Sequence, residues 1–361
     1  MAYWIIFGMM VLCFFASNIK SKSRDLSKSQ KILSYEGISV IILSVGLFLL
    51  LALQSETANN DLFAYKMRYE ENGLRTFSYF INDWAKIKDP VYHICGWIFS
   101  RLGFDFFQWK VVISFVFVFG LYNVISKYSV KPSISFMVIT AMGPFSFAFS
   151  GLRQALALSI LFYSYKYMKE KRLVKFLLIV LFASLFHSSA LVFAISYFAY
   201  NLGKRVRNLI LLGIGGLIII LNANTIARIY MQILGVNEQY SEYFDSESTL
   251  NFSGIIIYST IFIFCLICTY GSKRQANDAK LCHLLLLSVV FRILSFAWLA
   301  EIFRIAMYFS LFDGLLIADA CMADEKTNRR FAKLKTLGVT SALILYYLIS
   351  PSSNILSYIL Q

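Results

Sequence analysis

The chain has 361 residues, of which 58% are hydrophobic and 15% charged, and its formal net charge is +14. A soluble globular domain carries about 25% charged residues, so a conventional polar surface is excluded. The basic excess lies in short segments between apolar runs, which the positive-inside bias of membrane proteins explains without nucleic acid.

The apolar residues come as runs and not as helical stripes. Met1–Asn18 opens the chain without a basic flank, so it is expected to be a first span and not a cleaved leader. Ile38–Leu53, Val111–Ile125, Leu209–Leu221 and Gly254–Tyr270 follow. Each approaches the length of about 20 residues that a helix needs to cross a hydrocarbon core of about 30 Å. Four prolines and no ten-residue alternation argue against a barrel. The Cys265-x-x-Cys268 spacing falls inside a span, where small apolar packing is the expected role.

Five basic clusters are expected to face the cytoplasm: residues 20–31, 166–175, 204–207, 273–280 and 326–335. The segments 54–90 and 222–251 carry carboxylates as well and are expected to be outward loops. This map imposes parity. Val91–Phe107 should not cross, which predicts a re-entrant or interfacial helix near 91–107. Leu173–Asn201 joins two cytoplasmic clusters, which predicts two short helices turning near His187, or a dip and return. The reading is an all-α polytopic integral membrane protein of about 12 transmembrane helices, one transmembrane domain over residues 1–361.

Several polar residues fall where bilayer depth makes them costly. Asp61 and Asp89 lie in the first outward segment and are either solvated acids or candidate bases. Arg153 opens a helix on the outward side; it is either an interfacial arginine or, with the helix N-terminus, a site for phosphate or pyrophosphate. His187 sits at the predicted outward turn, as a helix-end cap, a general base or a phosphate ligand. Glu301 and Arg304 stand at i and i+3, where they can pair, or Arg304 can be a second phosphate clamp. Arg292 and Asp313 fall near mid-membrane on adjacent spans, which predicts a buried ion pair. No P-loop, HExxH, GxSxG or DxD motif is present, so any transfer chemistry is expected to run without a metal.

Five elements together resemble the EpsG family, which includes Wzy-type polymerases of bacterial surface polysaccharides. They are Asp61 with Tyr65, Asp89-Pro90-Val91-Tyr92, Leu152-Arg153-Gln154-Ala155-Leu156-Ala157, Phe186-His187-Ser188-Ser189-Ala190-Leu191, and Arg304 with Tyr308-Phe309. The R-Q-x-x-A element followed by F-H-x-S-A is the most specific part. Asn59-Asn60 departs from the Gly-Thr of the first element.

The resemblance implies a GT-C-like membrane glycosyltransferase at the outer face of the bacterial cytoplasmic membrane. Donor and acceptor would both be glycans on undecaprenyl pyrophosphate, polymerised without a cofactor. A chain-length regulator and a flippase would be the candidate partners. It implies Arg153, Gln154 and Arg304 as pyrophosphate-binding residues. His187 would be the first candidate base, with Asp61 and Asp89 behind it, and Tyr65, Tyr92 and Tyr308 would bind sugar. Tyr69 and Trp84 are further aromatics that either stack on sugars or anchor at the interface. The competing readings are an O-antigen ligase, a lipid-linked oligosaccharide flippase or other transporter, and a membrane acyltransferase. Candidate groups gathered at the outward face favour an interfacial enzyme over a transporter, whose groups would lie near the midplane.

Overall fold

The computed structural model describes residues 2–18, 35–56, 59–84, 86–142, 144–222, 225, 252–270, 279–297, 302–325 and 327–349. Among them every regular element is helical. The chain divides into two compact units, Met1–Ala194 with Asp313–Gln361, and Ile195–Phe312.

The first unit begins with α1 (Ala2–Asn18), α2 (Tyr35–Ala52), α3 (Asn60–Leu74), α4 (Phe77–Asn82) and α5 (Pro90–Arg101). It continues with α6 (Phe106–Tyr128), α7 (Pro132–Ala141), α8 (Pro144–Ala148), α9 (Leu152–Leu161), α10 (Ser164–Lys169), α11 (Leu173–Ser184) and a 3-10 helix, Ser188–Ala194. The second unit holds α12 (Ile195–Asn201), α13 (Val206–Leu221), α14 (Phe252–Tyr270), α15 (Leu281–Ala297) and α16 (Phe303–Phe309). The chain then returns to the first unit with α17 (Asp313–Met322) and α18 (Arg329–Ile349).

Three helical runs, Phe106–Tyr128, Phe303–Met322 and Arg329–Ile349, are long and apolar enough to cross a membrane, and shorter apolar helices accompany them. At 1.5 Å per residue the first is about 35 Å long. Apolar side chains also face outward: Val174, Leu178, Leu181 and Phe182 on α11, and Ile210, Leu211, Ile214, Leu217 and Ile218 on α13. Buried hydroxyls such as those of Ser114, Ser159, Ser164, Thr336 and Thr340 are instead hydrogen-bonded to helix carbonyls inside. An apolar exterior over a hydrogen-bonded interior is the arrangement expected of a protein solvated by lipid.

The centre of the first unit is α7, buried from Ser133 to Ala141 and packed against α2, α17 and α18. Small residues let these helices approach. A Cβ on Gly314 would stand 2.7 Å from the Ser135 carbonyl oxygen, and Ser135 Oγ donates to the Gly314 carbonyl at 2.8 Å. The two ends of α2 are fixed by different polar groups. At its start Glu36 meets Lys131 Nζ at 3.3 Å and the Ser133 hydroxyl at 3.1 Å, all buried. Just past its end the Gln54 amide donates to the Phe149 carbonyl at 3.1 Å, and Lys110 Nζ donates to the Gln54 carbonyl.

The second unit is organised around α15, which packs on α13, α14 and α16. Arg292 is buried there, 3.5 Å from the Tyr258 ring centroid and 4.9 Å from that of Phe303, and it donates to the Ser310 hydroxyl at 3.2 Å. Its expected partner Asp313 opens α17 in the first unit.

The segment 54–90, expected to be an outward loop, holds the helices α3 and α4. Asn59 caps α3 by accepting from Leu62 N–H at 2.7 Å, which is why asparagine serves where the family pattern differs. The expected non-crossing helix is α5, and it is shorter than 91–107. Its 12 residues span about 18 Å, less than a hydrocarbon core. The chain turns at Gly103, whose φ is +86°, and Phe106 and Phe107 already belong to α6, because Asp105 and Gln108 form a capping box there. The Leu173–Asn201 stretch breaks at residues 185–187, so two short helical halves flank His187 as expected. The segment 222–251, expected to be outward, lies almost entirely outside the described residues, as do residues 20–31, Lys273, Arg274, Glu301 and Lys326.

Candidate active site

The site forms where α5, α9 and the turn after α11 meet in the first unit. Asp89 precedes Pro90, the first residue of α5, and adopts φ 58°, ψ 55°. A residue before proline is pushed towards extended backbone, and a left-handed non-glycine is a strained choice that surrounding contacts must hold. Here the side chain holds it. Asp89 Oδ1 accepts from the Ser188 backbone N–H at 2.8 Å. Asp89 Oδ2 lies 3.0 Å from His187 Nδ1 and 2.9 Å from Arg153 Nη1.

Each partner is positioned by local structure. Arg153 stands in the first turn of α9, whose N-cap is Gly151; a Cβ at Gly151 would run into the Phe147 ring. Tyr65, from α3, lies beneath the guanidinium: Arg153 Nε donates to its hydroxyl at 3.4 Å and the ring centroid is 5.5 Å away. His187 is fixed through its own N–H to the Ala183 carbonyl, at 3.1 Å. The carboxylate of Asp89 is fully buried, while Arg153 and His187 side chains keep 17% and 11% exposure, so of the three it is the guanidinium and the imidazole that remain partly accessible.

Burial by itself would raise the Asp89 pKa. The hydrogen bond and charge of His187, then Arg153 and the Ser188 N–H, outweigh it and hold the carboxyl below its ordinary value. The assembly is therefore an ionised buried carboxylate that orients a histidine through Nδ1 and leaves Nε2 as the other ring nitrogen. The same carboxylate compensates an arginine.

A narrow cleft adjoins this cluster, with about 10 Å³ of free space, room for one water-sized group. One face of α3 supplies Tyr65, Arg68, Tyr69 and Asn72; Tyr92, His93 and Gly96 come from α5 and Trp109 from α6. The Tyr65 and Tyr92 rings lie 5.9 Å apart and join the cleft to Arg153.

The remaining candidates are placed differently. Asp61 is exposed in the first turn of α3 and, among the described residues, forms no ion pair or side-chain hydrogen bond. Gln154 is buried on α9 beside Arg153 in sequence. Tyr92 is buried against Trp109 and His93. Arg304, exposed, and Tyr308, buried, belong to the second unit. Tyr69 is buried against Phe106, and Trp84 is exposed. Sequence reasoning missed His93, Asn72, Arg68 and Trp109. Their only signal was helical spacing: Arg68 and Asn72 follow Tyr65 at i+3 and i+7, and His93 follows Asp89 by one turn.

Among the described residues no group of three His, Cys, Asp or Glu side chains is arranged to hold a metal ion. A family model described as the EpsG family matches residues 37–360. No curated protein and no solved structure matches the chain.

Proposed function

The chain belongs to the EpsG family, a Wzy-type polymerase-like family, and on that premise we propose that it is a metal-independent membrane glycosyltransferase that joins lipid-linked oligosaccharide repeat units into surface polysaccharide. The donor is a growing glycan on undecaprenyl pyrophosphate, and the acceptor is one repeat unit on a second such lipid. The fold in this reading is GT-C-like with about 12 spans, and the site faces outward from the bacterial cytoplasmic membrane.

The observation that carries the reading is the convergence of Arg153 and His187 on one buried carboxylate, Asp89. His187, held through Nδ1, takes the proton of an acceptor hydroxyl at Nε2. The hydroxyl oxygen attacks the anomeric carbon of the donor. The bond from that carbon to the pyrophosphate oxygen breaks, and the lipid pyrophosphate leaves against the Arg153 guanidinium. A single displacement inverts the anomeric centre. Asp89 is too buried and too fully engaged to take the proton, so it orients His187 and stabilises the imidazolium. Arg304 and Gln154 remain candidate pyrophosphate ligands, and Tyr65 a candidate sugar platform.

Orientation is supported by α2. Its start, with Glu36 and Lys131, follows the basic segment 20–31, and its end reaches Phe149, just before the helix that carries Arg153. The site is thus at the opposite end of α2 from the segment that the positive-inside bias puts in the cytoplasm.

The test is a gel of surface polysaccharide from a deletion strain complemented with wild type, Arg153→Ala or His187→Ala at matched expression. The expected result is a ladder with wild type and only single-repeat lipid with the deletion and both variants. Loss of every repeat-bearing product in the deletion strain would point to a ligase or flippase, and a normal ladder with both variants would remove the proposed site.

A further inference from the structure

The cleft beside the Asp89 cluster has its own chemistry, distinct from that of the cluster. Its walls are aromatic: Tyr69, Tyr92 and Trp109 are buried, and Tyr65 is half-buried at the mouth. Its polar groups are mostly neutral. Asn72 Nδ2 and His93 Nδ1 lie 2.9 Å apart. His93 is 6% exposed, and burial together with Arg153 and Arg68 pushes its pKa down to about 4, so it is neutral at physiological pH. The Trp109 indole N–H is buried near the Tyr92 hydroxyl without a hydrogen bond of good geometry. Arg68 stands at the rim and forms no ion pair among the described residues.

Space in the cleft depends on Gly96. A Cβ there would lie 3.3 Å from the Tyr69 ring and 3.7 Å from Trp109 Nε1. Anything larger than glycine on this turn of α5 intrudes on the floor. The same helix begins at Asp89, so the floor is one to two turns from the carboxylate that orients His187.

Aromatic walls with a neutral planar hydrogen-bonding pair suit the hydroxyl-bearing edge of a sugar, which presents apolar C–H faces and polar rims. A charged floor would favour phosphate instead. We infer that the cleft between α3 and α5 is part of the acceptor subsite: one hydroxyl of the acceptor's terminal sugar seats beside Gly96, where the free space takes one water-sized group, and the Asn72–His93 pair holds it. The inference rests on the polymerase reading above and adds to it the place of the second substrate. His93 and Asn72 are positioning residues; they bring the attacking hydroxyl to His187 and take no part in the proton transfer.

The test uses the full chain in nanodiscs with two lipids. One is the single-repeat lipid extracted from the deletion strain. The other is the same repeat unit linked through a phosphonate, which can only accept. Transfer onto the phosphonate lipid is read by mass while its concentration is varied. His93→Ala and Gly96→Val are expected to raise the half-saturating concentration about tenfold, a change of about 1.4 kcal/mol, with kcat within about twofold of wild type. His93→Gln, which keeps a planar hydrogen-bonding group, recovers most of that loss. Unchanged half-saturation in His93→Ala and Gly96→Val overturns the subsite and leaves the polymerase reading standing. A fall in kcat at unchanged half-saturation also overturns it, because the cleft would then act only as scaffold. No transfer by wild type at all overturns the polymerase reading, and the subsite with it.

Discussion

His187 Nδ1 and Asp89 Oδ2 lie 3.0 Å apart across 98 residues of chain. The contact ties the first turn of α5 to the break after α11, and Arg153 Nη1 reaches the same oxygen at 2.9 Å. One buried carboxylate therefore sets the positions of the two partly exposed groups.

Removing that carboxylate leaves two groups uncompensated. Asp89→Ala is expected to abolish the polysaccharide ladder and to cost about 3–5 kcal/mol of stability, the range for breaking one partner of a buried pair. Asp89→Asn keeps the shape and should retain more stability than Asp89→Ala while still losing the ladder. Thermal unfolding of the detergent-purified proteins checks the first part and the gel the second. An Asp89→Ala protein as stable as wild type would show that the cluster is not held by this charge.

Two separate pH limbs are expected in stability. The folded pKa of His93, about 4, lies below its ordinary value of 6.5. Its contribution is complete above pH 6.5 and is lost as pH falls from 6.5 towards 4, by an amount of order 3 kcal/mol. The folded pKa of Asp89 is also depressed, below 3.8, so its contribution is present above that pH and fades only below it. Midpoints of thermal unfolding between pH 8 and pH 3 should show both limbs. His93→Gln should flatten the upper one and Asp89→Asn the lower.

The Glu36–Lys131 pair lies at the other end of α2, with both side chains under 10% exposed. Glu36→Gln alone should destabilise by about 3–5 kcal/mol, because Lys131 is left buried and unpaired. The double replacement Glu36→Leu with Lys131→Met should cost less than the single change. Comparing the two melting temperatures decides this, and equal losses would mean that the pair carries little of the energy.

Gly314 is expected to tolerate no side chain. Its Cβ would meet the Ser135 carbonyl at 2.7 Å, a backbone atom that cannot swing aside. Gly314→Ala should cost about 1–3 kcal/mol by overpacking, whereas Gly338→Ala, with nothing within 4 Å, should be neutral or slightly stabilising. A common shift in both would remove the packing explanation.

The sequence by itself determined the environment and the family. Runs such as Ile38–Leu53 and Val111–Ile125 are long and uncharged, and the cost of charge in hydrocarbon makes that pattern readable without coordinates. The R-Q-x-x-A and F-H-x-S-A elements pointed to the family that the match over residues 37–360 shows. Local signals also placed the short α5 after Pro90 and the break at His187, because proline, caps and glycine act over a few residues. What only the tertiary structure decided is how these pieces meet. Asp89 read as one acid among six in a loop, and only burial beside Arg153 and His187 makes it the hub. His93 read as part of an apolar helix, and the cleft exists only because α3 lays Tyr65, Arg68, Tyr69 and Asn72 along it. Periodicity reports which face of a helix is apolar; it carries no information about which distant segment covers that face, and the chemistry here is made by contacts between segments 64 and 98 residues apart.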